Sequence, residues 1–389
     1  MKKRILIIFI VIASLIAAKA IWVMCATCNH GSLEDEKIDI IHRANYLTKK
    51  VIVNPEVLLN GMPSIVGEQF QGEWAIYTCS MTCAALANIA TLYPQNRETS
   101  RRYIGQIIEI ALSEEIRAYD RVRWGEDPLR GIAGNLSHMS YYSHLAWMIS
   151  AYKQSGGDGK YDDLYHSLCE ALNRRMLQSE TMNLQTYPGE CIYVPDMLLT
   201  IVALTNYSRQ NNGEYNSTVE RWIQKAKTEW IDSETGMLAS FLPEDENSAF
   251  KDAPIKGAYS ALNCYYLTFI DKEFAKDQYE KLKQNFLQEL PLTGIREYTG
   301  RSCWLGFDMD AGPVIMNLSS SGTGFAIGAA TFFEDYDVRK KLLRTVEIGG
   351  STVTWFGTSH YLVSNIALVA EAILLAMRTT VEWNNKIKN

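Results

Sequence analysis

Pro195-Asp-Met-Leu-Leu-Thr-Ile-Val-Ala-Leu-Thr-Asn-Tyr207 is apolar on nearly every side, and it opens with the two residue types that suit a first helical turn. A helix with no polar stripe belongs inside a protein. The next periodic segment, Thr218 to Trp230, is amphipathic and charged, so it belongs on a surface. The same alternation runs along the chain. Ala75 to Leu92, His138 to Tyr152, Ala258 to Ile270, Gly324 to Phe333 and Tyr361 to Met377 are the other apolar segments; Thr99 to Arg117, Asp162 to Leu177, Phe274 to Leu290 and Val338 to Val346 are the other amphipathic ones.

The apolar segments begin near residues 75, 138, 195, 258, 324 and 361, a spacing of about 60 residues except at the last step. Alternating β-branched runs are scarce. The expectation is an all-α chain whose residues 38–389 form one (α/α)6 barrel, a six-hairpin toroid of inner helices each followed by an outer one. The sixth apolar segment leaves no room for its partner, and the amphipathic Ile38 to Val51 supplies one from the other end. A solenoid fits less well, because helical repeats recur at about 34 to 47 residues with a shared consensus. Tyr361 to Met377 contains Asn365 and Glu371, which are costly in lipid, so a core helix is expected there.

Met1-Lys2-Lys3-Arg4 followed by the apolar run Ile5 to Ile16 and Ala18-Lys19-Ala20 has the layout of a secretory signal. Ile5 to Met24 is also long enough to cross a bilayer once, with the cations left in the cytoplasm. Residues 1–24 are therefore expected to be a signal peptide or a single membrane anchor and 25–37 a short spacer, with the barrel in the periplasm or on the outer face of the membrane. Cys25 and Cys28 stand behind poor lead-ins for a lipidated cysteine.

Hydrophobic residues make up 47% of the chain, enough for a large core. The formal charge is −6, and becomes −10 without Lys2, Lys3, Arg4 and Lys19. Such a domain has no electrostatic reason to bind nucleic acid or anionic lipid, and neutral substrates fit it better. Cys79, Cys83, Cys169, Cys191, Cys264 and Cys303 are scattered through apolar stretches, as buried free thiols are. Cys79 and Cys83 lie four apart, but no second pair of ligands is near, so no metal is expected. Gly322-Thr-Gly324-Phe-Ala-Ile-Gly328 has neither the strand before it nor the βαβ unit around it that a dinucleotide loop needs, and close helix packing explains its glycines better. No cofactor is expected.

In a helical-hairpin barrel the segments leading into the inner helices gather at one end, where helix N-termini favour carboxylates and developing anions. Asp196 stands in such a first turn; a capping role is the alternative. Asp308 and Asp310 are two apart and can divide acid and base roles, or shape the turn before Gly312-Pro313. His144, in the second inner helix, can shuttle a proton, or serve structurally. Tyr187 joins these as a catalytic candidate. His138, Tyr142, Glu190, Tyr193, Trp304, Trp355, His360 and Tyr361 are the candidates for substrate contact, their rings able to stack on a sugar or enclose an isoprenoid.

Ser137-His-Met-Ser-Tyr-Tyr-Ser-His144-Leu-Ala-Trp-Met, the turn before Lys160-Tyr161-Asp162, and the stretch Tyr187 to Asp196 resemble the linalool dehydratase/isomerase-like group of (α/α)6 proteins. The resemblance implies that fold and proton transfer by a histidine on the second inner helix, the position of His144. It also implies two cysteines flanking the third lead-in segment, where this chain has Tyr187 and Asp196 with Cys191 between them. The wider superfamily includes glycoside hydrolases and polysaccharide lyases, an analogy at the level of fold.

The expectation for function is acid/base catalysis on a glycan, as a hydrolase or lyase, by Asp196 with Asp308 or Asp310. A separation of about 5 to 5.5 Å between the carboxylates suits a retaining glycosidase and about 6.5 to 9.5 Å an inverting one. The alternatives are a cofactor-free dehydratase or isomerase on an apolar alcohol, and a non-catalytic envelope protein that binds a glycan or a protein.

Overall fold

A computed structural model describes residues 2–28, 30, 32–63, 67–243 and 253–383. Among them the chain is mostly α-helical. Helix α1 (Lys2–Ala26) precedes α2 (Lys37–Val51), and the short α3 (Pro55–Asn60) leads into α4 (Glu68–Leu92), which is followed by α5 (Arg97–Ala111) and α6 (Glu114–Trp124). Four alternations come next: α7 (Met139–Gln154) with α8 (Asp162–Gln178), α9 (Val194–Gln210) with α10 (Asn216–Glu229), α11 (Gly257–Leu267) with α12 (Lys272–Phe286), and α13 (Ser320–Phe332) with α14 (Tyr336–Gly350). Helix α15 (Leu368–Arg378) is the last.

The apolar segments are the buried ones, as their composition requires. Every residue of α11 is buried, and α7 exposes little beyond Lys153. The amphipathic helices bury one stripe each; α5 buries Ser100, Ile104, Ile107, Ile108 and Ala111. Helix α4 packs on α7, α7 on α9, α9 on α11, α11 on α13, α13 on α15, and α15 on α4. Helices α5 and α6 lie on α4, α8 on α7 and α9, α10 on α9, α12 on α11, and α14 on α13, while α2 touches both α15 and α4. Gly322 and Gly328 permit this closeness. A Cβ on Gly322 would sit 3.1 Å from the Ala258 backbone, and one on Gly328 would meet the Met377 sulfur at 2.5 Å.

Several boundaries differ from those read in the sequence, each for a local reason. Thr99 to Arg117 is not one helix, because Ser113 caps a new one by accepting from the Ile116 amide. That helix, α6, ends at Gly125 with a left-handed backbone. Tyr361 to Met377 is helical only from Leu368, the residues before it forming a strand and a 3-10 turn. Short antiparallel strands precede several of the buried helices: β1 (Ile192–Tyr193) with β2 (Phe241–Leu242), β3 (Leu287–Gln288) with β4 (Gly294–Ile295), β5 (Leu305–Asp308) with β6 (Gly312–Ile315), which also carries β7 (Leu318–Ser319), and β8 (Thr352–Trp355) with β9 (Thr358–Tyr361).

The two ends of the sequence are joined by a buried charge network. Glu36 bonds Arg339 at the start of α14 and accepts from Arg378 Nη2 at 2.8 Å at the end of α15. Arg378 also pairs with Asp39 at 2.8 Å, Asp39 with Arg43 at 2.9 Å, and Arg43 with Glu371 at 2.7 Å. Burial alone would raise the Glu36 carboxyl; Arg378 and Arg339 outweigh it and hold the group down at about 2.

Helix α1 is apolar and mostly exposed over Ile5 to Ile16. It grips the body near its end: Lys19 Nζ bonds the Glu347 carbonyl and the Ser351 hydroxyl, and Trp22 Nε1 donates to Glu347 Oε1 at 2.9 Å. Among the described residues a second helical stretch is long and apolar enough to cross a membrane, Phe70–Leu92 within α4, and it is mostly buried in the body.

Candidate active site

The first turns of the buried helices carry the ionisable residues. Asp196 lies in the first turn of α9 behind Pro195 and accepts from Thr186 Oγ1 at 2.7 Å. Glu73 lies in the second turn of α4, where the Tyr187 hydroxyl and Arg123 stand beside it. Arg123 is at the end of α6, a position that favours a cation. Its guanidinium lies 3.7 Å from the centroid of the Tyr187 ring, 3.7 Å from Glu73 Oε2 and within hydrogen-bond distance, 3.2 Å, of Glu190 Oε1.

On the facing side Lys256 stands immediately before α11. Its ammonium donates to Asp308 Oδ1 at 2.7 Å and Asp310 Oδ2 at 3.1 Å, and lies 3.8 Å from the buried Glu297. Asp310 is close enough to Asp196 and Glu73 for its charge to discourage theirs. Tyr193 and Tyr259 flank Asp310, and Phe241 packs against both rings. Beneath Glu73, Tyr77 lies against Tyr266 and edge-on to His144, ring centroids 5.2 Å apart.

Burial sets the electrostatics. It raises Glu73 to about 7, helped by the charge of Asp196 and opposed by Arg123 and Tyr187. It raises Asp196 to about 6 despite the Thr186 hydrogen bond, with Asp310 adding to the rise. Glu297 is raised to about 7, because burial outweighs Lys256. Asp308 goes the other way: burial pushes it up, but Lys256 and the amides of Ala311 and Asp310 pull it below the usual range. Two carboxyls of one cluster are thus both raised by burial, and such a pair can divide acid from base work.

Of the residues singled out in the sequence, Asp196, Asp310, Tyr187, Glu190 and Tyr193 come together in this cluster. Asp308 joins it through Lys256 while also making the turn, accepting from the amides of Asp310 at 3.0 Å and Ala311 at 3.1 Å. His144 lies deeper. Its Nδ1 is 2.8 Å from Ser80 Oγ, and burial lowers it to about 3, which favours the neutral ring.

The remaining candidates are engaged elsewhere. His138 is fully buried, its Nδ1 2.5 Å from Asp120 Oδ2, and it begins α7 with a left-handed backbone. The Tyr142 hydroxyl donates to the Pro128 carbonyl at 2.6 Å. His360 stacks on Tyr46 with centroids 4.1 Å apart, and the buried Tyr361 ring lies under Arg43. Trp304 and Trp355 face solvent from the ends of β hairpins, not the carboxylates.

Sequence reading passed over Glu73, Arg123, Lys256 and Glu297. The rule that selected Asp196, an acid in the opening turns of an apolar helix, applies to Glu73 as well; beginning that helix at Ala75 left Glu73 outside it. Arg123 and Lys256 sit in charged and irregular stretches, where nothing local marks them. Among the described residues no group of three or more histidine, cysteine, aspartate or glutamate side chains is arranged to hold a metal ion. Models of known protein families give no match to this chain, and no curated protein is found similar to it.

Proposed function

We propose that this chain is an (α/α)6 barrel enzyme of the cell envelope, held by α1 as a membrane anchor, that works by acid/base catalysis on a glycan or similar polyhydroxylated substrate. The barrel reading is supported by the cyclic order of packing, from α4 through α7, α9, α11 and α13 to α15 and back to α4, with α2 supplying the sixth outer position. The observation that carries the catalytic reading is the pair Glu73 and Asp196. Both are buried carboxyls at the N-terminal ends of buried helices, raised to about 7 and about 6.

In this reading Glu73 is the proton donor and Asp196 the base. Glu73 gives its proton to the leaving oxygen, while Asp196 takes one from an attacking water in hydrolysis or from the carbon next to the leaving group in elimination. Arg123 and Tyr187 orient Glu73. Lys256 fixes Asp310 within reach of substrate hydroxyls, and the rings of Tyr193 and Tyr259 offer faces for a sugar.

A second reading, a dehydratase or isomerase on an apolar alcohol, draws support from the floor, where Tyr77, Tyr266 and His144 are all kept neutral by burial. Incubating the full chain with panels of oligosaccharides and prenyl alcohols separates the two. Turnover of a glycan that Asp196→Asn abolishes supports the first; turnover confined to the alcohols overturns it. A chain that binds a glycan equally well with and without Asp196, and converts nothing, is a binding protein.

A further inference from the structure

Helix α14 runs antiparallel to α13, so its last turn, Glu347 to Ser351, lies at the end of the molecule where the buried helices begin and Glu73 and Asp196 stand. Lys19 and Trp22 of α1 bond to this turn. From there the chain descends, and Glu36 meets Arg339 near the start of α14. The part of α1 before Lys19 therefore projects past the mouth, by about 25 Å at 1.5 Å per residue. A hydrocarbon core is about 30 Å thick, so a bilayer holding α1 begins close above the mouth.

Two hairpins at the ends where α13 and α15 begin suit such a boundary, and Thr352, which starts β8, bonds Glu347, the residue that Trp22 of α1 also bonds. Strands β5 and β6 pair Leu305 with Ile315 and Phe307 with Pro313, which sets these side chains on one face. Leu305 is 78% exposed and Phe307 65%, whereas the opposite face buries Val314 on Ala258 and Tyr259 and directs Asp308 to Lys256. The turn after β8 presents Trp355, 69% exposed, and Phe356, 88% exposed, and Ile366 follows at 74%. These hairpins lead into α13 and α15, which pack on each other, and α14, which carries α1, packs on α13. Scattered exposed apolar residues are ordinary, but apolar faces and aromatic tips grouped on one rim mark an interaction surface, and tryptophan is favoured at a lipid–water interface.

We propose that this rim is a membrane-contact surface. Trp304, Leu305, Phe307, Ile315, Trp355 and Phe356 enter the outer part of the bilayer that α1 crosses, and the mouth opens onto the headgroup layer. The substrate is then an amphiphile whose polar head lies at the membrane surface and whose apolar part stays in the lipid. The inference rests on the reading of α1 as an anchor, and it commits to a lipid bilayer as the partner.

The full chain is reconstituted in phosphatidylcholine vesicles with brominated acyl chains, alongside a Trp304→Phe/Trp355→Phe variant. Flotation reads the anchor, and bromine quenching of tryptophan emission reads the rim. The expected result is that both proteins float and that the quenched part of the emission falls clearly in the variant, leaving what Trp22 contributes. Flotation with equal quenching in the two proteins overturns the rim and leaves the anchor standing. Absence of flotation overturns the anchor, and the rim with it. Melting temperatures equal within error show that both proteins are folded, as expected for two exposed positions.

Discussion

Buried carboxylates meet opposite fates in two parts of this molecule. In the network that ties α2 to α14 and α15, Glu36 shares two arginines, and Asp39 lies between Arg43 and Arg378; both acids are held ionised well below their ordinary range. At the mouth, Glu73 has Arg123 only at 3.7 Å and Asp196 has one neutral hydroxyl, and both are pushed toward neutrality. Desolvation acts on all four. What differs is whether cations are bonded to the acid, and so burial with pairing makes a clasp while burial without it makes a group able to exchange protons.

The comparison breaks most readily at the mouth. Glu73→Gln or Asp196→Asn should lower turnover of the glycan by about 10²- to 10⁴-fold with little change in the melting transition. Steady-state rates beside thermal melts check this, and unchanged rates would remove both groups from the chemistry. Next in size is the clasp. Glu36→Gln leaves Arg339 and Arg378 buried without their shared anion, and it should cost about 3 to 5 kcal/mol in denaturant unfolding. A loss below about 1 kcal/mol would mean that the network does not join the ends of the chain.

A finer test exchanges one character for the other. Arg123→Gln withdraws the cation that opposes the rise of Glu73, so the alkaline limb of the rate profile should move up by about one pH unit. No movement would separate Arg123 from the protonation of Glu73. The effect of pH on stability tests both regions at once, because they act in opposite windows. Glu36, lowered from 4.5 to about 2, contributes stability above about 4.5 that is lost as pH falls toward 2. Glu73 and Asp196, raised to about 7 and about 6, contribute below their ordinary values of 4.5 and 3.8 and lose that contribution as pH rises through 6 to 7. The melting temperature should therefore peak at about pH 4 and fall from there to about 7, and Glu73→Gln/Asp196→Asn should flatten the fall on its alkaline side only. A fall of equal size in that double variant would place its origin outside the mouth.

Much of this was legible in the sequence, because periodicity is local. The contrast between Pro195 to Tyr207 and Thr218 to Trp230 separates a buried helix from a surface one without any knowledge of neighbours. Proline before Asp196, the apolar run after Arg4, and the amphipathic stripe of Ile38 to Val51 are likewise written into short stretches. Asp196 could be found by the same means, since a carboxyl in the opening turn of an apolar helix stands out. The tertiary structure alone decided which charges meet. Glu36 finds Arg339 and Arg378 from the far end of the chain, Glu73 finds Asp196 from another helix, and Lys256 finds Asp308 and Asp310 from another loop. Burial moves His144 and Glu73 in opposite directions, the histidine down to about 3 and the carboxyl up to about 7, because in each it disfavours the charged form. The fold follows from patterns a few residues long, whereas the protonation of a side chain depends on desolvation and on partners that only folding brings within a few ångströms.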